Sequence, residues 1–307
     1  MTRTTKKNLD VPVHGPYGQV EKWLRATGAG EVLEDAVFSP VFSEQSFEPG
    51  APSEAELREL WPAGGWMCWL GGPAVAPLEQ WPRRADGKAL AHVASIHLGV
   101  LDATTDAVGK AGWPEGQLRE GLPTEGVLEV FHDLESFGYD PAEGAARSWL
   151  VRWVKTPDHS VLIDPPQDLD TPTEVCQLCL PLPGFTLPSA ADAASGPQDR
   201  FDLVESLELS LQNGWLAQRT GSSPEVPIPF SHAYGHSHHG RIAAVEDILP
   251  GVLPLEPGDE YRLILDLESW TALAGWFGDA GNLEIWIRES DLQARAFERA
   301  WCLIRTD

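Results

Sequence analysis

The chain has 307 residues, 42% hydrophobic and 22% charged, a composition that buries a sizeable core and excludes disorder for most of its length. Its 46 acidic residues against 22 basic ones leave a formal charge of −24, which repels a phosphate backbone and argues against nucleic acid as a partner. No stretch reaches the roughly 18 consecutive apolar residues of a membrane span, and Met1 to Lys7 leads into polar, Pro- and Gly-rich sequence, so the expected location is the cytoplasm, away from membranes.

With 13 Trp, 26 Pro and 29 Gly, the chain reads as many short elements joined by tight turns: a strand-rich α+β fold of mainly antiparallel sheets with a few short helices. The first helix is expected over 17–27, with Val20, Trp23 and Leu24 on one face and Gly28 as its stop. Ser53-Glu-Ala-Glu56 is a capping box that leads into Leu57 and Leu60 and is halted by Trp61-Pro62. Strands follow over 126–131 and 148–154, where β-branched and aromatic residues dominate. The stretches 181–197 and 220–231, rich in Pro, Ala, Ser and Gly, are expected to be surface loops. Between them Phe201, Val204, Leu207 and Leu211 form the apolar stripe of a helix over 198–212, with Asn213-Gly214 as its end. Strands are expected again over 261–267 and 282–288; in the last, Leu283, Ile285 and Ile287 share one face and Glu284, Trp286 and Arg288 the other. A closing helix is expected from Ser290, paired with Gln293, and pinned by Phe297 and Trp301.

These elements divide into a helical and loop extension over 1–60, an N-terminal lobe over 61–182, a loop over 183–200 and a C-terminal lobe over 201–307. Gly126-Val-Leu-Glu-Val-Phe131 echoes Gly281-Asn-Leu-Glu-Ile-Trp286, and hydrophobic strands precede both, at 93–98 and 264–268. Two readings stay open: two lobes related by duplication, or chance alternation in strands of one type.

The segment Gly278 to Trp301 combines a Gly-Asp-Ala-Gly turn, an aromatic strand, Arg288-Glu-Ser-Asp-Leu292, then Phe297 and Trp301. Upstream stand Leu70-Gly-Gly-Pro73, Trp81-Pro82, Gly87-Lys-Ala-Leu90, Leu122-Pro123 and Gly126 to Phe131. In this order the motifs resemble the YwqG-like family, the domain of unknown function 1963, over roughly 60–135 and 230–303, leaving the stretch 136–230 largely unmatched. The resemblance implies a fold and carries no activity. It also implies a setting, because some relatives lie beside bacterial toxin genes, where an immunity role has been suggested. The chain departs from the family pattern where two hydrophobic strands usually bear glutamine: here stand Ser95 and Asp266, with Glu268 at the following acidic position.

Ser231 to Gly240 holds four imidazoles, His232, His236, His238 and His239. His232 and His236 have the spacing that puts two metal ligands on one face of a helix, yet Gly235 and Ser237 argue against a helix there. The segment is thus read as a metal site or as a solvated histidine-rich loop. Asp266 and Glu268 lie two apart on a strand and share a side, and Asp279 follows in a Gly turn; these are the weak candidates for hydrolysis, with Asp279 otherwise expected to bond its own turn. Motifs for serine hydrolases, P-loops, dinucleotide binding and zinc proteases are missing, and Phe131-His-Asp133 offers an imidazole without a nameable nucleophile. Cys176-Gln-Leu-Cys179 has the spacing of half a zinc site but no second pair, so packing is its expected role. Among the tryptophans, Trp113, Trp270 and Trp276 are the candidates for an exposed binding surface.

Two functions follow as expectations. The first is a non-catalytic acidic protein-binding module, an immunity protein steered by its charge to a basic toxin, without a cofactor. The second is a small-molecule- or metal-binding protein, a hydrolase in one version, with a pocket between the lobes near Asp266, Glu268, Asp279 and His236.

Overall fold

The computed structural model describes residues 11–44, 53–65, 67–105, 110–169, 175–220, 230–269, 273, 275–278 and 281–306. In chain order they form α1 (Tyr17–Thr27), β1 (Val37–Phe38), β2 (Val41–Glu44), α2 (Ser53–Leu60), β3 (Cys68–Gly71), β4 (Ala74–Ala76), β5 (Ala91–His97) and α3 (Leu98–Thr104). Next come β6 (Val127–His132), α4 (Pro141–Ala145), β7 (Trp149–Val154), β8 (Asp158–Ile163), β9 (Cys176–Leu182), β10 (Phe185–Thr186), α5 (Ala190–Ala193) and α6 (Gln198–Thr220). The chain closes with β11 (His232–Ala233), α7 (Leu249–Val252), β12 (Tyr261–Glu268), β13 (Asn282–Arg288), α8 (Glu289–Gln293) and β14 (Trp301–Arg305). No helix among the described residues is long and apolar enough to cross a membrane.

The fold is α+β. Ten strands form one antiparallel, nearly barrel-shaped sheet in the order β14-β13-β12-β11-β2-β9-β3-β5-β6-β7, and β1-β10 and β4-β8 form two small pairs. Period-two alternation sorts the two faces of this sheet. One face of β5, β6, β12 and β13 supplies Ile96, Leu128, Val130, Leu265, Leu283 and Ile285 to a single apolar core shared by both ends of the sheet. The opposite face of the same strands carries Ser95, Glu129, Asp266 and Glu284, all 0% exposed because other segments cover them. A bulge between Leu263 and Leu265 shifts the alternation, so Leu263 opposite Trp286 and Asp266 opposite Glu284 lie on that polar side.

Several expected boundaries move, each for a physical reason. Helix α1 ends at Gly28 with φ 85°, as its sequence implies. Helix α6 runs past Asn213-Gly214 to Thr220; a Cβ at Gly214 would sit 2.9 Å from the Val13 side chain, so this glycine admits the N-terminal segment and does not end the helix. The closing helix is one short piece, α8; the chain turns at Arg295 (φ 61°), and Trp301 begins β14 opposite Trp286 instead of facing Phe297 on a helix. The stretch 181–197 contains the end of β9, β10 and α5 rather than a plain loop. Strand β2, from the segment 1–60, is an inner strand between β9 and β11.

Trp113, expected on the surface, is buried: it packs edge-on against Tyr17 and Phe38 inside an N-terminal cluster formed with α1 and α6. Trp276 is half-buried against the main core, and Trp270 lies outside the described residues.

Candidate metal centre

The histidine-rich segment enters the sheet as β11, with His232 opposite both Asp266 of β12 and Val41 of β2. Tyr234 (φ 61°) and Gly235 (φ 80°) then turn the chain sharply. Only glycine fits at 235, because a Cβ there would meet Ser39 Oγ and Thr186 Oγ1 at 2.4 Å. The turn folds His238 back over His232, with ring centroids 5.2 Å apart and nearly perpendicular, and Phe230 closes one side at 4.9 Å from His238.

Their hydrogen bonds set both tautomers. His232 Nδ1 lies 2.6 Å from the Tyr234 carbonyl, so Nδ1 carries the proton and donates. Its Nε2 keeps a bare lone pair, has no hydrogen-bond partner among the described residues, and stands 3.7 Å from Asp266 Oδ2. His238 Nε2 lies 2.9 Å from the Phe230 carbonyl and donates to it, which leaves Nδ1 as its other potential ligand atom. Asp266 Oδ1 accepts from Asn282 Nδ2 at 2.6 Å and Oδ2 accepts from the His238 backbone N–H at 3.1 Å. One potential ligand atom from each of His232, His238 and Asp266 lies within 4.8 Å of the others.

Charge in the cluster follows from burial. It pushes the His232 imidazole down to about 4, so the ring is neutral at pH 7. Burial alone would raise Asp266, but the imidazoles of His238 and His232, Asn282 and the His238 amide together hold it below the usual carboxylate range. Opposite it, burial and then the charge of Asp266 push Glu284 up. Glu284 accepts from Ser237 Oγ and from Trp286 Nε1, the latter at 2.8 Å, and stands 3.7 Å from Arg305 Nη1.

Two imidazole nitrogens and one carboxylate, with each imidazole's other nitrogen anchored on a backbone carbonyl, form a donor set suited to zinc, iron, nickel or copper rather than magnesium or calcium. Three protein ligands leave a position for water or another ligand.

His232 and His236 do not pair, in keeping with Gly235 and Ser237. The left-handed turn at 234–235 replaces the helix that spacing needs, and His236 Nε2 instead meets the Asp35 carbonyl at 2.7 Å. His239 lies outside the group as well; its carbonyl accepts from Arg305 Nη2 at 3.0 Å. Glu268 is buried two residues from Asp266, its backbone N–H donating to Ser231 Oγ at 3.0 Å, and is not among the three ligands. Asp279 lies outside the described residues. Glu284, Asn282, Ser237 and Arg305 were not singled out from the sequence, although alternation along 282–288 already places Asn282 and Glu284 on one side. Cys176 packs in the cluster of Trp61 and Trp69, while Cys179, opposite Cys68, lies in the main core.

The other end of the sheet carries a related constellation without free ligands. Glu129 accepts from the Val75 N–H at 2.7 Å and from Arg152 Nε at 2.6 Å, and both nitrogens of His92 are occupied, by the Gly71 carbonyl at 2.8 Å and Ser95 Oγ at 2.9 Å.

A family model described as domain of unknown function (DUF1963) matches residues 69–305. No curated protein matches the chain.

Proposed function

This chain belongs to the DUF1963 family, and within it we propose that the protein is a metal-binding protein, holding one divalent transition-metal ion between His232, His238 and Asp266. The observation that carries this reading is the buried, unpartnered Nε2 of His232, aimed at Asp266 beside a second imidazole whose tautomer is also set by a carbonyl. A buried lone pair without a donor is costly, and a metal ion satisfies it.

Titration of zinc or cobalt into chelator-treated, untagged protein tests the reading. One equivalent is expected to bind, with cobalt giving visible ligand-field bands, and His238→Ala is expected to weaken binding by about tenfold or more. His236→Ala and His239→Ala serve as controls that retain it. Absence of stoichiometric binding, or equal losses in all three variants, would sink the proposal.

The net charge of −24 favours a second reading, a protein-binding module such as an immunity protein for a basic toxin. A stoichiometric basic protein co-purifying from the host at low salt, and released as salt rises, would support it.

A further inference from the structure

In a chain with more than two acids for every base, cations grouped without acid partners are unexpected. A cavity of about 290 Å³ beside the β12–β13 hairpin is lined by three arginines from separate parts of the chain. Arg119 comes from the segment before β6, Arg241 follows the histidine-rich turn, and Arg262 belongs to β12. Glu260 is the one carboxylate among the lining residues, and it pairs with Arg262, not with Arg119 or Arg241.

Two of these guanidinium groups have no carboxylate partner among the described residues. Arg119 donates Nη1 to the Gly116 carbonyl at 2.7 Å and the Leu118 carbonyl at 3.4 Å, and the Arg241 guanidinium makes no hydrogen bond or ion pair there. Arg262 is paired, with Glu260 at 3.4 Å and Glu289 at 3.3 Å, which holds it in place. Trp286, Tyr261 and Leu263, all nearly fully buried, stand behind the arginines and leave a mainly polar wall, and Trp286 is held by its own N–H bond to Glu284. Like charges gathered at a cavity repel one another, and a bound anion converts that cost into charge-assisted hydrogen bonds. Arginine, with its planar fork of donors, is suited to the oxygens of a phosphate.

We propose that this cavity binds a dianionic phosphate group, held by Arg119, Arg241 and Arg262. The two uncompensated charges match a dianion, and the volume fits a compact ligand near the small end of ordinary binding pockets. The proposal does not depend on the metal centre, since the two sites share no ligating side chain.

Isothermal titration of chelator-treated protein with phenyl phosphate tests it, so that the metal reading is not tested at the same time. Saturable binding is expected, weakened about tenfold or more in Arg241→Gln and in Arg119→Gln, each of which removes charge-assisted bonds. Arg147→Gln, at an exposed arginine outside this cavity, is the control and is expected to bind as the parent does. Inorganic phosphate is expected to bind comparably, because the wall beside the arginines is mainly polar. No saturation up to millimolar concentrations of either ligand, or equal losses in Arg241→Gln and Arg147→Gln, would overturn the site.

Discussion

Glu129 and Glu284 are buried at matching places in two matching sets of strands. Each follows a glycine by three residues, at Gly126 and Gly281, and each lies directly opposite a polar residue of the neighbouring strand, Ser95 for Glu129 and Asp266 for Glu284. An arginine from the next strand approaches each one, Arg152 from β7 and Arg305 from β14. The two carboxylates are satisfied differently. Arg152 grips Glu129 while donating to the Val75 and Pro77 carbonyls, whereas Arg305 stays 3.7 Å from Glu284, which burial and Asp266 push up. One constellation is closed as structure; the other leaves His232 Nε2 without a partner among the described residues.

Removing one partner of the closed pair strands a buried charge. Arg152→Ala is expected to cost about 3–5 kcal/mol in guanidinium denaturation, because Glu129 at 0% exposure, already pushed up by burial, loses its guanidinium counterion. Glu129→Leu combined with Arg152→Met is expected to recover much of that loss; a double variant no more stable than Arg152→Ala would refute the assignment.

The matched glycines are both required by close backbone approach. A Cβ at Gly126 would lie 2.4 Å from the Val154 carbonyl oxygen, and one at Gly281 would lie 2.0 Å from that of Phe277. Gly126→Ala and Gly281→Ala are each expected to cost about 1–3 kcal/mol or more and to lower Tm by several degrees. Gly251→Ala, where a Cβ meets open space, should leave Tm close to that of the parent in the same thermal scans.

Tyr234 ties the turn of the histidine-rich segment to the body: its hydroxyl accepts from the Leu122 N–H at 3.0 Å in a buried setting. Tyr234→Phe leaves that N–H unsatisfied and is expected to cost about 1–3 kcal/mol. Urea unfolding measures this, and a change of a few tenths would show that the bond is replaced.

His132 makes the fold acid-sensitive. It is fully buried, stacks on Trp149 at 5.8 Å and accepts the Leu134 N–H at Nδ1, and burial pushes it down to about 4. Unfolded, it titrates near 6.5, so the unfolded chain takes up the proton first as pH falls. Its contribution is therefore complete above about 6.5 and is lost between about 6.5 and 4, by roughly 3 kcal/mol. Denaturation midpoints from pH 7.5 to 4.5 should fall less steeply in His132→Asn; parallel slopes would contradict this role.

Much of the fold was legible because it follows from local periodicity. The alternation of Leu283, Ile285 and Ile287 against Glu284 and Trp286 reports which side of β13 is core, and the stop at Gly28 reports the end of α1. Where a residue has two possible uses, locality fails. Gly214 has the form of a helix end but serves the approach of Val13, and Trp113 beside Pro114 resembles a surface residue but fills a cluster built from distant segments.

The sequence by itself determined the residue types available to the candidate site and the side of each strand on which Asp266, Glu268 and Glu284 fall, because side-chain direction along a strand alternates with each residue. Tertiary structure alone decided that His232 pairs with His238 and not His236, since two consecutive left-handed residues fold the segment back on itself. It also decided that β11 meets β12, placing His232 opposite Asp266, and that Arg119, Arg241 and Arg262 converge on one cavity. Those arrangements depend on pairings between residues far apart in the chain, which no local pattern encodes.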